Sequence, residues 1–418
     1  MRCSFVGTLC VLLGIASSAV CRAGEKEMRQ ALDLWAQQMA EYQAALSVAG
    51  ERDRATLPPP VPDDVAQALW KAVRGQTGTR DVVSPGAKKG GKRARTQKAI
   101  TYEFEEEWAA PAVFWFIQYP DAFAKVFEQN PARLPKFAEA MLDALSRKHF
   151  AHPMVGQICP KIAESANTRM LEIAEKIYTR NSNPTARACA AMAMSIMLSN
   201  PALSSSEGGN ARTRSKRVYY IKQALNIAPN DTMFGDISLT QAASEQIYRL
   251  RNLSIGVVPP QFNVHGIDGK PHTFPVPGKP NLLFFWSPSE EVGRSLMSKL
   301  EAMQKKYPQL EICPIVPEGD DEAWHTMLAE NGITTCYMDD AQGSTGMAYR
   351  VQQLPTAVLV DAHARILYIG FPDMQLQAAL DSCMEQAAKQ PLPQPPPAPP
   401  APPAANDTAP ALREMPQW

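Results

Sequence analysis

Asn281-Leu-Leu-Phe-Phe-Trp286 runs straight into Ser287-Pro-Ser-Glu-Glu-Val-Gly-Arg294, and the reading of this stretch decides the fold. Leu282 to Trp286 is apolar without interruption, as a strand buried on both faces requires. Ser287-Pro288 ends the strand, because a proline disfavours the regular conformations that would continue it. Leu296, Leu300, Met303 and Tyr307 then recur at helical spacing, so one face of a helix is apolar. A buried strand feeding a helix through a tight turn is the building unit of α/β sheets.

Working outward, the same alternation continues. Leu310-Glu-Ile-Cys-Pro-Ile-Val316 reads as a strand, Asp321 to Asn331 as a helix, and Thr334–Met338 as a further strand. A short helix ends at Tyr349, strands follow at Leu354–Asp361 and Ala364–Gly370, and Met374 to Ala388 closes the region as a helix. Upstream, Asp268-Gly269 is read as a two-residue hairpin turn, since glycine tolerates the positive φ such turns need. After Lys389 the chain reads Gln-Pro-Leu-Pro-Gln-Pro-Pro-Pro-Ala-Pro-Pro-Ala-Pro-Pro, which cannot build a core and is expected to be extended polyproline II.

These residues resemble a known family. Leu253-Ser-Ile-Gly-Val-Val-Pro-Pro-Gln-Phe, followed by Gly266-Ile-Asp-Gly-Lys, is similar to the start of TlpA-type and redoxin-type thioredoxin-like proteins. In that family the first core strand leads into a C-x-x-C pair at a helix start. Counted from Trp286, the two cysteine positions fall on Glu290 and Gly293. Leu354-Pro-Thr-Ala-Val-Leu-Val-Asp361 resembles the family strand that opens on a cis-proline, and Pro355 takes that place. The resemblance implies a thioredoxin-like α/β domain whose central mixed sheet is flanked by helices. With the all-α helical array that the residues before it suggest, the chain is expected to be α+β and multidomain.

It also implies a chemistry that the residues withhold. In the family the first cysteine is a thiolate of low pKa at a helix N-terminus, and the second resolves a mixed disulfide. Glu290 cannot exchange with a disulfide and Gly293 has no side chain. The expectation is a degenerate site, inactive in redox exchange and used to bind or scaffold a protein or peptide. Trp286, Ser289, Leu354, Pro355 and Thr356 are the candidates to line the groove. The alternative is a thiol–disulfide oxidoreductase that works through cysteines outside the motif. Cys313 and Cys336, on strands that the resemblance makes neighbours, are then a disulfide or two buried thiols.

The first 250 residues are read without such help. Arg2, the uncharged run Phe5–Val20 and Cys21-Arg-Ala23 have the pattern of an export signal cleaved near Ala23, so the protein is expected in the periplasm or outside the cell. Val20 is a poor neighbour for lipid attachment at Cys21. Residues 24–99 hold two helices and a basic, glycine-rich loop. Met28, Leu32, Trp35, Met39, Tyr42 and Leu46 form a seven-residue repeat that suits packing on a neighbouring helix or a short coiled coil. Residues 100–252 form a helical array with one tetratricopeptide-like ending at Ala224–Asp231 and no convincing strand; Ser204–Arg214 reads as a loop between its helices. Residues 253–389 are the thioredoxin-like domain and 390–418 the tail.

The 42 basic and 42 acidic residues balance, which gives no global attraction to nucleic acid. The cations between Lys88 and Lys98 lack interleaved aromatics, so no nucleic-acid partner is expected. No segment after the N-terminal run is apolar enough to span a bilayer. The six histidines do not cluster at ligand spacing, so neither metal nor cofactor is expected. Asp339-Asp340 is read as a helix cap or a solvated loop.

Overall fold

The computed structural model describes residues 23–49, 57–73, 103–200, 203, 209–267, 269–287, 291–317, 326, 328, 336–339 and 343–389. The N-terminal signal reading, the basic loop, Asp268, Ser289, Glu290, most of Asp321–Asn331 and the proline-rich tail lie outside these residues. The chain divides into two compact units, one ending at Leu250 and the other beginning at Arg251.

The first unit is helical: α1 (Ala23–Val48), α2 (Asp63–Val73), α3 (Ala110–Gln118), α4 (Pro120–Val126), α5 (Leu134–Arg147), α6 (Cys159–Ala163), α7 (Thr168–Arg180), α8 (Pro184–Met197), α9 (Gly209–Ile227) and α10 (Leu239–Asn252). The stripe on α1 packs inward. Met28, Leu32 and Trp35 are buried, and the Trp35 ring meets Trp115 edge-on at 5.8 Å and Tyr119 at 5.1 Å. The segment up to residue 73 therefore shares one core with the helices after residue 103. Helix α8 is the centre of that core, buried almost all round by its alanines and methionines. Asn183 caps it, accepting from the Thr185 and Ala186 N–H groups. Asn181, itself buried, donates to the carbonyls of Phe150 and His152 and so fixes the turn before it.

Three sequence expectations change here. Within the array, Ile162–Arg180 reads from its composition as one helix but is broken, because Asn167 caps a new start at Thr168. Helix α9 begins at Gly209, inside the segment read as a loop; residues 211–216 face mainly solvent and carry no apolar period to betray the helix. A hairpin of β1 (Met233–Phe234) and β2 (Ile237–Ser238) turns at Gly235, whose φ is +66°, where no strand was expected.

The second unit is built on a mixed sheet. Its strands are β3 (Phe262–Gly266), β4 (Pro271–Phe274), β5 (Asn281–Phe285), β6 (Glu311–Val316), β7 (Tyr337–Met338), β8 (Thr356–Val360) and β9 (Ile366–Gly370). Their order is β4-β3-β7-β6-β5-β8-β9. Strand β5 lies centrally, parallel to β6 and antiparallel to β8, and every one of its residues is buried, as its unbroken apolar run requires. Helices α11 (Glu291–Lys306) and α13 (Met374–Lys389) contribute Met297, Leu300, Leu376 and Leu380 to a core on one face, while α12 (Ser344–Ala348) precedes β8. The Gly266–Lys270 hairpin turn is one residue longer than expected. Gly266 N–H donates to Lys270 O and Gly269 N–H to Gly266 O, so three residues turn, the last being Gly269 at φ +73°.

Candidate functional site

Strand register gathers the expected site at one end of the sheet. Phe285 pairs with Thr356, so the end of β5 lies against the start of β8. The peptide bond Leu354–Pro355 is cis, in line with the expectation for Pro355, and Pro355 itself is buried. Leu354 and Thr356 are half-buried, and the Thr356 hydroxyl donates to Gln353 O at 2.6 Å, which ties the turn before β8 together. A second cis bond, Phe274–Pro275, had no signal in the sequence reading.

Trp286 is corrected. It was expected to line the groove, yet its side chain is fully buried with Leu282 and Phe284, against residues of α11 and α13. Its backbone N–H donates to Ile315 O at 3.0 Å and prolongs the pairing with β6. The buried indole Nε1 lies beside the Cys336 thiol.

Gly293 explains the helix start. A Cβ placed on it falls 3.0 Å from the Ser287 carbonyl oxygen and 3.3 Å from Trp286 Cε3. The first turn of α11 thus presses on the backbone that leaves β5, and the neighbours are a carbonyl and a ring locked in the core. A side chain at this position would have to shift that turn by a few tenths of an ångström.

The cysteines do not compensate. Cys159, Cys189, Cys313, Cys336 and Cys383 are all free and buried. The disulfide considered between Cys313 and Cys336 is not formed. Pairing of Val316 with Met338 puts the even-numbered residues of β6 and β7 on one face, where Cys336 joins Ile312 and Val316; Cys313 points to the other face. Burial pushes the Cys313 thiol well up and the Cys336 thiol to about 12. A thiolate nucleophile needs the opposite shift.

Asp339 does cap a helix. Its buried carboxylate accepts from Thr345 N–H at 3.1 Å and Gly346 N–H at 2.9 Å and holds α12 over the end of β6, where Gly346 rests on Pro317. Around this end of the sheet three large apolar side chains are exposed: Met347 on α12, and Phe371 and Met374 after β9. Gly370 pairs with Ala357, which brings Phe371 alongside the Pro355 edge. Sequence reading missed this rim, because lone apolar residues in turns carry no pattern. His149 is buried against the Phe104 carbonyl, and burial lowers its pKa. Among the described residues no group of three or more His, Cys, Asp or Glu side chains is placed to hold a metal ion. No described helix is long and apolar enough to cross a membrane.

Residues 278–366 match a family described as thioredoxin-like. Among solved structures, a thiol-disulfide oxidoreductase from Bacteroides fragilis is 20% identical, over 29% of this chain and 96% of that one, with a TM-score of 0.27. The exposed lipoprotein thioredoxin of Streptococcus pneumoniae is 19% identical over 29% and 99%, with a TM-score of 0.26. A secreted disulfide oxidoreductase of Mycobacterium tuberculosis is 20% identical over 29% and 95%, with a TM-score of 0.26. No curated protein matches the chain.

Proposed function

We propose that this thioredoxin-like unit binds an extended segment of a protein or peptide along its Pro355 edge and carries out no dithiol exchange there. The observation that carries this reading is Gly293, which puts no thiol in the first turn of α11 and seats that turn tightly on the Ser287 carbonyl and the Trp286 ring, beside an intact cis-Pro355 turn. The half-buried Leu354 offers backbone groups to a bound strand, and Met347, Phe371 and Met374 offer apolar surface. Ser289 and Glu290, which precede α11 in the sequence, are proposed as further parts of the mouth. The reading also puts the site outside the cytoplasm, because of the charge-free Phe5–Val20 run.

The alternative, an oxidoreductase using other cysteines, requires a reactive thiol, and the five described thiols are buried. Reduction of insulin by dithiothreitol in the presence of the protein decides between the two. No acceleration, together with capture of envelope proteins that Pro355→Ala abolishes, supports binding. Acceleration that disappears on Cys313→Ser or Cys336→Ser overturns it.

A further inference from the structure

Cys159 and Cys189 belong to the helical unit and play no part in the site above. Contacts along the chain bring them to one place. A Cβ placed on Gly156 falls 3.0 Å from Ala186 Cα, so the 3-10 turn Pro153–Ile158 presses its backbone directly on α8. Cys159 and Cys189 each follow three residues later. The β1–β2 hairpin then covers both positions. Gly235 rests on the Pro160 ring, with a Cβ placed there 3.7 Å away, while Met233 O accepts the Cys189 thiol at 3.4 Å. Each thiol is also within electrostatic reach of the other, since a charge on Cys189 adds to burial in raising the Cys159 pKa.

We propose that Cys159 and Cys189 are a disulfide-forming pair, present here in its reduced state, which on oxidation staples α6 to α8 beneath the hairpin. A disulfide asks for Cα atoms about 4.4–6.8 Å apart. Ordinary helix packing, with axes about 8–10 Å apart, rarely supplies that, and a glycine-mediated backbone approach does. The oxidant is a small disulfide such as oxidised glutathione. One protein thiolate attacks it and releases one glutathione thiol. The second thiolate then displaces the other glutathione and closes the bridge. Two protein thiols lose two protons and two electrons, and one glutathione disulfide becomes two thiols. Burial slows both attacks in the folded state. The bridge therefore forms as the unit folds, before the hairpin closes over it.

The test is a peptide map of the full chain, unfolded and refolded in oxidised glutathione, then denatured, blocked with N-ethylmaleimide and digested. A parallel sample is reduced with dithiothreitol. The expected result is a linked Cys159–Cys189 peptide in the oxidised sample only, with Cys313, Cys336 and Cys383 blocked in both. The melting temperature of the helical unit rises by roughly 10 °C on oxidation, as closing a loop of about 30 residues implies, and Cys189→Ala removes that rise. Maleimide on both Cys159 and Cys189 in the oxidised sample, or either linked to another cysteine, overturns the proposal. The wild-type map decides this even where Cys189→Ala does not fold.

Discussion

The two units spend their unusual residues in different ways. In the helical unit these are buried polar residues, dispersed through the core. Asn181 stitches a turn, His149 meets a carbonyl, and Arg217 is buried with its guanidinium donating to Ser195 O at 3.0 Å and Gln246 Oε1 at 3.3 Å. In the thioredoxin-like unit they converge. The cis-Pro355 turn, the crowded Gly293, the Asp339 cap and the exposed Met347, Phe371 and Met374 all lie where β5 and β6 end and β8 begins.

The comparison can be broken most sharply at Trp286. If this residue belongs to the core, Trp286→Ala costs about 3–5 kcal/mol in guanidinium unfolding. A loss below about 1 kcal/mol, with partner capture abolished, would return Trp286 to the groove. Next comes Asp339→Ala, which strands two buried N–H groups of α12 and is expected to cost about 1–2 kcal/mol, measured the same way. Gly293→Ala follows. Alanine ordinarily favours a helix over glycine by about 1 kcal/mol. Overpacking against the Ser287 carbonyl and the Trp286 ring costs about 1–3 kcal/mol, so the net change is a destabilisation of about 1 kcal/mol. An unchanged or raised midpoint would show that α11 has room to move.

The smallest effect sharpens the other side of the comparison. Burial lowers the His149 pKa below its ordinary 6.5. The unfolded chain then binds a proton that the folded unit does not, so this contribution is complete above about pH 6.5 and is lost as pH falls through the folded value. Urea midpoints of the wild type are expected to decline between pH 7.5 and 5, and His149→Gln to flatten that decline. An identical slope in both proteins would remove His149 from the account.

Much of the second unit was legible because its strands are continuous apolar runs bounded by prolines and glycines; Leu282–Trp286 and Thr356–Val360 have one natural reading. That same uniformity hid the orientation of Trp286. Leu282, Leu283, Phe284 and Phe285 are all apolar, so no alternation says which residues face α11. The turn at Gly269 was right in kind and one residue short, since both hairpin types call on glycine. Resemblance reached Pro355 and the position of Gly293, but the crowding at Gly293 exists only once helix and strand are set against each other. In the helical unit, a hairpin with two residues per strand falls below any periodicity, and a polar first stretch concealed the start of α9 at Gly209.

The contact between Gly293 and the end of β5 also bears on how easily this site can change its chemistry. Any side chain larger than hydrogen at residue 293 is felt at once by the strand behind it. The new Cβ meets a backbone carbonyl and a ring that the core holds in place. A thiol at residue 293 would therefore act first as a wedge, moving the first turn of α11 against the end of β5 before it could take part in any chemistry.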